Sequence, residues 1–146
     1  MRYQFPYDFA GSIELPERNL LGIYQAHPHS DRAEEEIIGQ AIANPIEAPL
    51  LRDMVRLGEK VLFLPDDITR ATPADRIIPQ LLEQLEAVGI PDEDIRFLIS
   101  LGTHRKMTEE ELLLKLGPEI MRRYQVFNHH WEELDNLHWV ADSPEG

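Results

Sequence analysis

Two short polar segments of the 146-residue chain combine side chains that could bind a small acid and move a proton. We call them loop A (residues 65–73) and loop B (residues 100–108). Their candidate side chains are Asp67, Thr69, Arg70, His104 and Arg105. Arginine presents a planar fork of donors that matches a carboxylate at two points, and histidine takes or gives a proton near neutral pH. We therefore expect Arg70 to hold a carboxylate and His104 to face a hydroxyl group, which suits a small hydroxy acid.

Each loop also has a purely structural interpretation. The acids and Thr69 of loop A could satisfy backbone groups of a turn and pair with Arg70. In loop B, Arg105 could pair with a helix acid such as Glu109. Loops at strand ends nevertheless carry functional sites more often than other segments do. Two such loops at one sheet edge favour the functional interpretation.

The elements that must position the loops are two apolar runs with a helix between them. Residues 61–64 form an uninterrupted apolar run that predicts a strand buried on both faces, and Ile95–Ile99, apolar except for Arg96, predicts a second buried strand. Residues 74–88 repeat their apolar side chains at helical spacing. A strand–helix–strand unit requires a parallel strand pair and a right-handed crossover. The predicted fold class is therefore α/β, with a parallel-sheet, Rossmann-like core whose ligands bind beyond the carboxyl ends of the strands.

The rest of the chain predicts further short elements around this core. Further strands are expected at residues 3–5, 12–15, 20–24, 125–128 and 138–140. Further helices are expected after a cap at Ser30 as far as Asn44, over residues 50–57, after a cap at Thr108, and from Pro118 to Tyr124. Glu111 follows Thr108 by three residues, which predicts a capping box. With no repeat and no internal linker, residues 1–146 are expected to form one α/β domain.

Composition narrows the possible partners. Fourteen Lys and Arg residues against 27 Asp and Glu residues give a formal net charge of −13. A surface of this sign repels phosphate backbones, so no nucleic-acid partner is expected. The absence of cysteine excludes disulfides, thiolate metal ligands and a cysteine nucleophile. No apolar run at the start is long enough for a signal or a membrane span, so we expect no membrane partner and a cytoplasmic location.

The remaining histidines do not predict a metal site. They are His27, His29, His129, His130 and His138. His129 and His130 are adjacent, and neighbouring residues on a strand face opposite ways. A nucleotide- or phosphate-binding α/β domain of another kind is also disfavoured, because neither GxGxxG nor GxxxxGK[ST] occurs.

Loops A and B together resemble the two amino-terminal signatures of the nickel-pincer lactate racemase family. The matching segments are DDITR followed by Thr72 and Pro73, GTHR followed by MTEEEL from Met107, and the weaker Asn128, His129 and Trp131. The resemblance runs over almost the whole chain. Departures occur at Ala71 and Lys106, where family members often carry proline, and at His130, where aspartate is common.

The resemblance implies an activity and a set of roles. The family inverts the hydroxyl-bearing carbon of lactate or related 2-hydroxy acids, with a nickel-pincer pyridinium mononucleotide attached to a lysine as hydride acceptor. His104 would be one of two histidines that shuttle the hydroxyl proton, and Arg70 would hold the substrate carboxylate. Asp67 would support the polar network around them. Thr69 and Arg105 match further motif positions and are expected to contribute to substrate binding.

The resemblance also implies that the chain is the amino-terminal part of a longer racemase-like protein. The family's second histidine, its cofactor-bearing lysine, its nickel-binding histidine and its carboxyl-terminal domain are expected beyond Gly146. We therefore expect this chain alone to hold no cofactor and to leave lactate unracemised. The alternative is a non-catalytic module that binds small carboxylates on the same fold. A longer reading frame with a Gly-rich segment containing His and Lys would favour the enzyme.

Overall fold

The computed structural model describes residues 2–5, 9–24, 31–139 and 141. The chain divides into two compact units, Met1–Asp31 and Arg32–Gly146. Each is described by itself below, and the single domain over residues 1–146 stays a prediction. No helix among the described residues is both long and apolar enough to cross a membrane. The cytoplasmic location also stays a prediction.

The first unit contains a two-stranded antiparallel sheet. Strand β1 (Arg2–Gln4) pairs with β2 (Ser12–Glu14), which confirms two of the predicted strands to within a residue. A 3₁₀ turn at Glu17–Asn19 follows. The strand predicted at residues 20–24 is wrong, since the described residues 20–24 adopt no regular structure and pair with no strand.

The second unit is built on a three-stranded parallel sheet. Its strands are β3 (Val61–Phe63), β4 (Ile95–Ile99) and β5 (Gln125–Asn128), in that order across the sheet. Val61 lies opposite Ile95, and β4 pairs in parallel with β5. The predicted parallel strand pair is therefore confirmed, and loops A and B leave the carboxyl ends of neighbouring strands.

Among the described residues of this unit, five α-helices accompany the sheet. They are α1 (Glu34–Ala43), α2 (Leu51–Met54), α3 (Ala74–Val88), α4 (Glu109–Leu116) and α5 (Pro118–Arg123). Helix α3 makes the crossover from β3 to β4 and ends at Gly89, whose φ of 89° suits a residue without a side chain. Helix α1 begins after Ala33 rather than at the predicted Ser30 cap, and Ser30 lies outside the described residues. Helix α2 is shorter than predicted, because Val55 already has extended backbone angles.

The core lies between one face of the sheet and helices α3, α4 and α5. Side chains of β4 alternate, so Ile95, Phe97 and Ile99 are buried while Arg96 is exposed. Phe97 stacks on Phe63 with ring centroids 4.9 Å apart. Other buried members are Ile78, Leu85, Leu112, Leu116 and Ile120.

The opposite face of the sheet corrects one prediction. Residues 61–64 were expected to be buried on both faces, but Leu62 is 53% exposed and Leu64 is 61% exposed. On β5, Phe127 is 48% exposed. An apolar run does not reveal how many faces are covered, and the described core helices pack against the side chains of the other face.

The end of the chain departs from prediction as well. A 3₁₀ turn occupies Leu134–Asn136, and the described residues His138 and Trp139 lie in no strand. Val140, the last residue of the predicted strand, lies outside the described residues.

Candidate active site

Loop A is organised around the buried side chain of Asp67. Asp67 is 4% exposed. Its Oδ1 accepts hydrogen bonds from the Thr69 backbone N at 2.8 Å and from Thr69 Oγ1 at 2.5 Å. Its backbone carbonyl accepts from the Arg70 N at 3.1 Å, which closes a turn. Asp67 thus satisfies a backbone group of the turn, as its structural interpretation predicts, and this turn fixes the Asp67 carboxylate. Substrate binding by Thr69 stays a prediction.

The other oxygen of Asp67 connects loop A to loop B. Its Oδ2 lies 2.6 Å from Nδ1 of His104. The strand ends bring the loops together, since the Ser100 backbone N donates to the Pro65 carbonyl at 2.8 Å and Asp66 forms a parallel bridge with Ser100. Two of the predicted site residues, 37 positions apart in sequence, are therefore in direct contact.

The charge state of Asp67 decides which nitrogen of His104 carries a proton. The hydrogen bond from the Thr69 hydroxyl lowers the pKa of Asp67 to about 2, with burial opposing it and His104 lowering it further. An ionised carboxylate only accepts, so Nδ1 of a neutral His104 carries the hydrogen and Nε2 keeps a lone pair. The His104 side chain is 51% exposed. The Asp67–His104 pair can therefore act as a base through Nε2.

Arg70 places its side chain at the surface. Within the described part of the chain its guanidinium makes no hydrogen bond or ion pair, so its donors are available to a ligand. His104 lines a cavity of about 530 Å³ together with His129 and Trp131, and Arg70 is not part of that lining. A single crevice shared by Arg70 and His104 stays a prediction.

Arg105 is paired within its own loop and helix. Its guanidinium donates to both carboxylate oxygens of Glu111, at 2.8 and 2.7 Å. Glu111 also accepts from the Thr108 backbone N at 2.9 Å while its own N donates to Thr108 Oγ1 at 3.2 Å, so the predicted capping box is confirmed. The hydrogen bond from Arg105 lowers the pKa of Glu111 to about 2. The partner is Glu111 rather than Glu109, and substrate binding by Arg105 stays a prediction.

Sequence reasoning missed Lys115 near the site. Lys115 lies in the last turn of α4 with a side chain only 4% exposed. Its Nζ lies 2.7 Å from Asp66 Oδ1 and donates to the carbonyls of Arg70 at 2.9 Å and Thr72 at 3.1 Å. The available signal was its position: three residues after Leu112, a lysine falls on the apolar stripe of the helix.

Asn128 was also overlooked as an anchor of loop B. Its Oδ1 accepts from the Met107 backbone N at 3.0 Å, and its Nδ2 donates to the Met107 carbonyl at 3.1 Å. Since Met107 is buried, the Asn128 amide satisfies both backbone polar groups of that residue. The end of β5 therefore holds loop B beside the sheet.

The described residues do not fit a metal ion. No group of three or more His, Asp or Glu side chains within residues 2–5, 9–24, 31–139 and 141 could hold one. His130 instead pairs with Glu133, with His130 Nδ1 2.6 Å from a Glu133 carboxylate oxygen. His27 and His29 lie outside the described residues. We accordingly derive no chemical step through nickel.

Known proteins are similar to this chain in sequence. Residues 8–146 match the family described as the lactate racemase N-terminal domain. A lactate racemase of Lactiplantibacillus plantarum is 30% identical over 145 residues, covering 97% of this chain and 34% of that protein. A lactate racemase of Thermoanaerobacterium thermosaccharolyticum is 25% identical over 138 residues, covering 92% of this chain and 32% of that protein.

Solved structures support the fold. The lactate racemase apoprotein from Thermoanaerobacterium thermosaccharolyticum superposes with a TM-score of 0.78 at 24% identity, covering 100% of this chain and 34% of that one. A protein from Thermotoga maritima superposes with a TM-score of 0.53 at 28% identity, covering 75% of this chain and 24% of that one. The chain spans about a third of the length of the lactate racemases it matches. By the match over residues 8–146, the chain belongs to the lactate racemase N-terminal domain family.

Proposed function

We propose that this chain supplies two groups to a racemase that acts on lactate or a related 2-hydroxy acid. One is the arginine that binds the substrate carboxylate, and the other is a histidine that serves as acid and base. The observation that carries the proposal is the 2.6 Å contact between buried Asp67 and half-exposed His104. Family membership supports a racemase-related domain. The names of the relatives support lactate as the first substrate to test.

His104 acts as a base in one direction of the reaction and as an acid in the other. Nε2 of His104 takes the proton of the substrate hydroxyl, and the resulting imidazolium keeps its Nδ1 hydrogen bond to the Asp67 carboxylate. The buried negative charge stabilises the new positive charge and holds the ring in one orientation. In the reverse direction of the reaction, the imidazolium of His104 gives this proton back as the hydroxyl re-forms.

Arg70 binds the other end of the substrate. Its guanidinium has no protein partner within the described residues. Its backbone N donates to the carbonyl of Asp67, the residue whose carboxylate contacts His104. A two-point contact with the carboxylate would set the hydroxyl-bearing carbon at a fixed place relative to His104. The nickel-pincer cofactor and the second histidine remain expectations of the resemblance.

The test compares two substitutions in the complete, cofactor-loaded protein that carries this domain. We expect His104→Gln to lower kcat for racemisation by about 10² to 10⁴-fold, the usual contribution of a positioned acid or base. Arg70→Lys keeps the charge but loses the fork, so it should raise KM more than it lowers kcat. Racemisation is followed by chiral chromatography from each lactate enantiomer separately.

The matched control is His138→Gln, which removes a histidine that lies outside the cavity lined by His104. Full activity of His104→Gln would disprove the catalytic role of that residue. Lactate binding that depends on Arg70, together with no racemisation by the loaded wild-type protein, would instead identify a non-catalytic carboxylate-binding module.

A further inference from the structure

The amine of Lys115 is buried beneath loop A, and the proposed chemistry does not use it. Its ammonium has three protons and three acceptors within reach: the Asp66 carboxylate and the carbonyls of Arg70 and Thr72. Two of the acceptors belong to backbone on either side of Ala71. The amine therefore fixes the path of the chain directly after Arg70.

The cost of burying this charge indicates a geometric role. Desolvating an ammonium group offsets most of the attraction to its partner, so a buried ion pair adds little net stability compared with a well-packed apolar side chain. Leu112 and Leu116 lie on the same helix and are buried, so an apolar residue at position 115 would join the core. Only a cation, however, can bind Asp66 and two carbonyls at once.

Helix α4 contacts both loops at its opposite ends. Its first turn binds loop B through Glu111 and Arg105, at 2.7 and 2.8 Å. Its last turn binds loop A through Lys115. A single rigid helix thereby sets the distance between the turn that carries Arg70 and the loop that carries His104.

We propose that Lys115 is a positioning residue that places Arg70 for the substrate carboxylate. Its role rests on the proposed function, because the placement of Arg70 matters only if Arg70 binds the substrate. A displacement of about 1 Å at a positioning contact can cost on the order of 10²-fold in rate. Loss of the amine should therefore reach the active site mainly through Arg70.

The test is a double-mutant cycle between Lys115→Met and Arg70→Ala in the complete, cofactor-loaded protein. In the wild-type background, Lys115→Met should lower kcat/KM for lactate about 10- to 100-fold, mainly through KM. In the Arg70→Ala background it should lower kcat/KM less than about twofold, because the group that it positions is gone. Lys60→Met, at an exposed lysine, is the control and should leave kcat/KM unchanged in both backgrounds.

A general structural effect would behave differently. Equal fold losses in both backgrounds would overturn the positioning role, since two independent defects multiply. If Lys115→Met does not fold, the double variant Asp66→Asn with Lys115→Met replaces it, because no half-buried carboxylate is then left without its cation. Wild-type kcat/KM in that double variant would also overturn the inference. If Arg70→Ala itself leaves kcat/KM unchanged, the proposed function of Arg70 fails first, and the role of Lys115 fails with it.

Discussion

Loops A and B leave neighbouring strands at one sheet edge, yet different interactions hold them. Loop A is bound from within the protein by the buried amine of Lys115 and by the buried carboxylate of Asp67. Loop B is bound by the side-chain amide of Asn128 and by the exposed pair of Arg105 and Glu111. A loop held by buried charge has few alternative conformations, because each one leaves a charge unpaired. In loop B, by contrast, the exposed Arg105 can exchange its partner for water.

The largest effect on stability should come from Lys115→Met. The substitution leaves Asp66 without its cation and two carbonyls without a donor. Burial raises the pKa of Asp66, but the hydrogen bonds from Lys115 and Thr72 outweigh it and hold the pKa below its usual value. Since the Asp66 side chain is 34% exposed, water can solvate the carboxylate and reduce the loss of stability. We expect the free energy of unfolding to fall by about 3 kcal/mol, measured by urea denaturation.

The same measurement on Lys60→Met gives the effect of losing an exposed lysine, expected within about 0.5 kcal/mol of wild type. Equal losses of unfolding free energy in the two variants would mean that the buried amine of Lys115 does not stabilise loop A. The contrast drawn between loops A and B would then fail.

A second, smaller effect should appear in acid. Because the folded pKa of Asp67 is about 2, below its usual value of 3.8, its contribution to stability is fully present above the usual value and is lost as pH falls through 2. The contribution amounts to about 2 kcal/mol. The difference in unfolding free energy between wild type and Asp67→Asn should therefore shrink as pH falls from 5 to about 2. A difference that stays constant over this range would mean that the Asp67 carboxylate is not stabilised by Thr69 and His104.

The smallest effect should come from loop B. Thr108→Ala removes the side-chain acceptor of the Glu111 backbone N at the start of α4. Loss of such a cap costs about 1 kcal/mol, and Arg105 still binds Glu111. Circular dichroism during thermal unfolding should show a modestly lower midpoint, and Thr108→Ser should restore it. A loss as large as that of Lys115→Met would reverse the comparison of the two loops.

Local pattern was enough to predict the elements that carry the site. Apolar runs and helical spacing predicted β3, α3 and β4. The capping box could be predicted because Thr108 and Glu111 are close in sequence. Polar residues after each strand predicted that Asp67 and His104 would share one edge. These features depend on short-range chemistry or on the rule that parallel strands end together.

Long-range partners could not be predicted in the same way. The contact of Lys115 with Asp66 spans the crossover helix and β4, and a lysine in a helix usually faces water. The choice of Glu111 rather than Glu109 by Arg105 depends on loop geometry. The exposure of Leu62 depends on which face of the sheet the helices cover. The composition of the strand does not reveal that face.

The chain-order arrangement of β3, β4 and β5 bears on how the protein folds during synthesis. Each strand pairs with the one made just before it, so no early segment waits for a distant partner. The residues that bring Asp67 and His104 together, from β3 to the end of α4, leave the ribosome before β5 does. The segments that form the acid–base pair are therefore synthesised before Asn128, whose hydrogen bonds to Met107 complete the attachment of loop B.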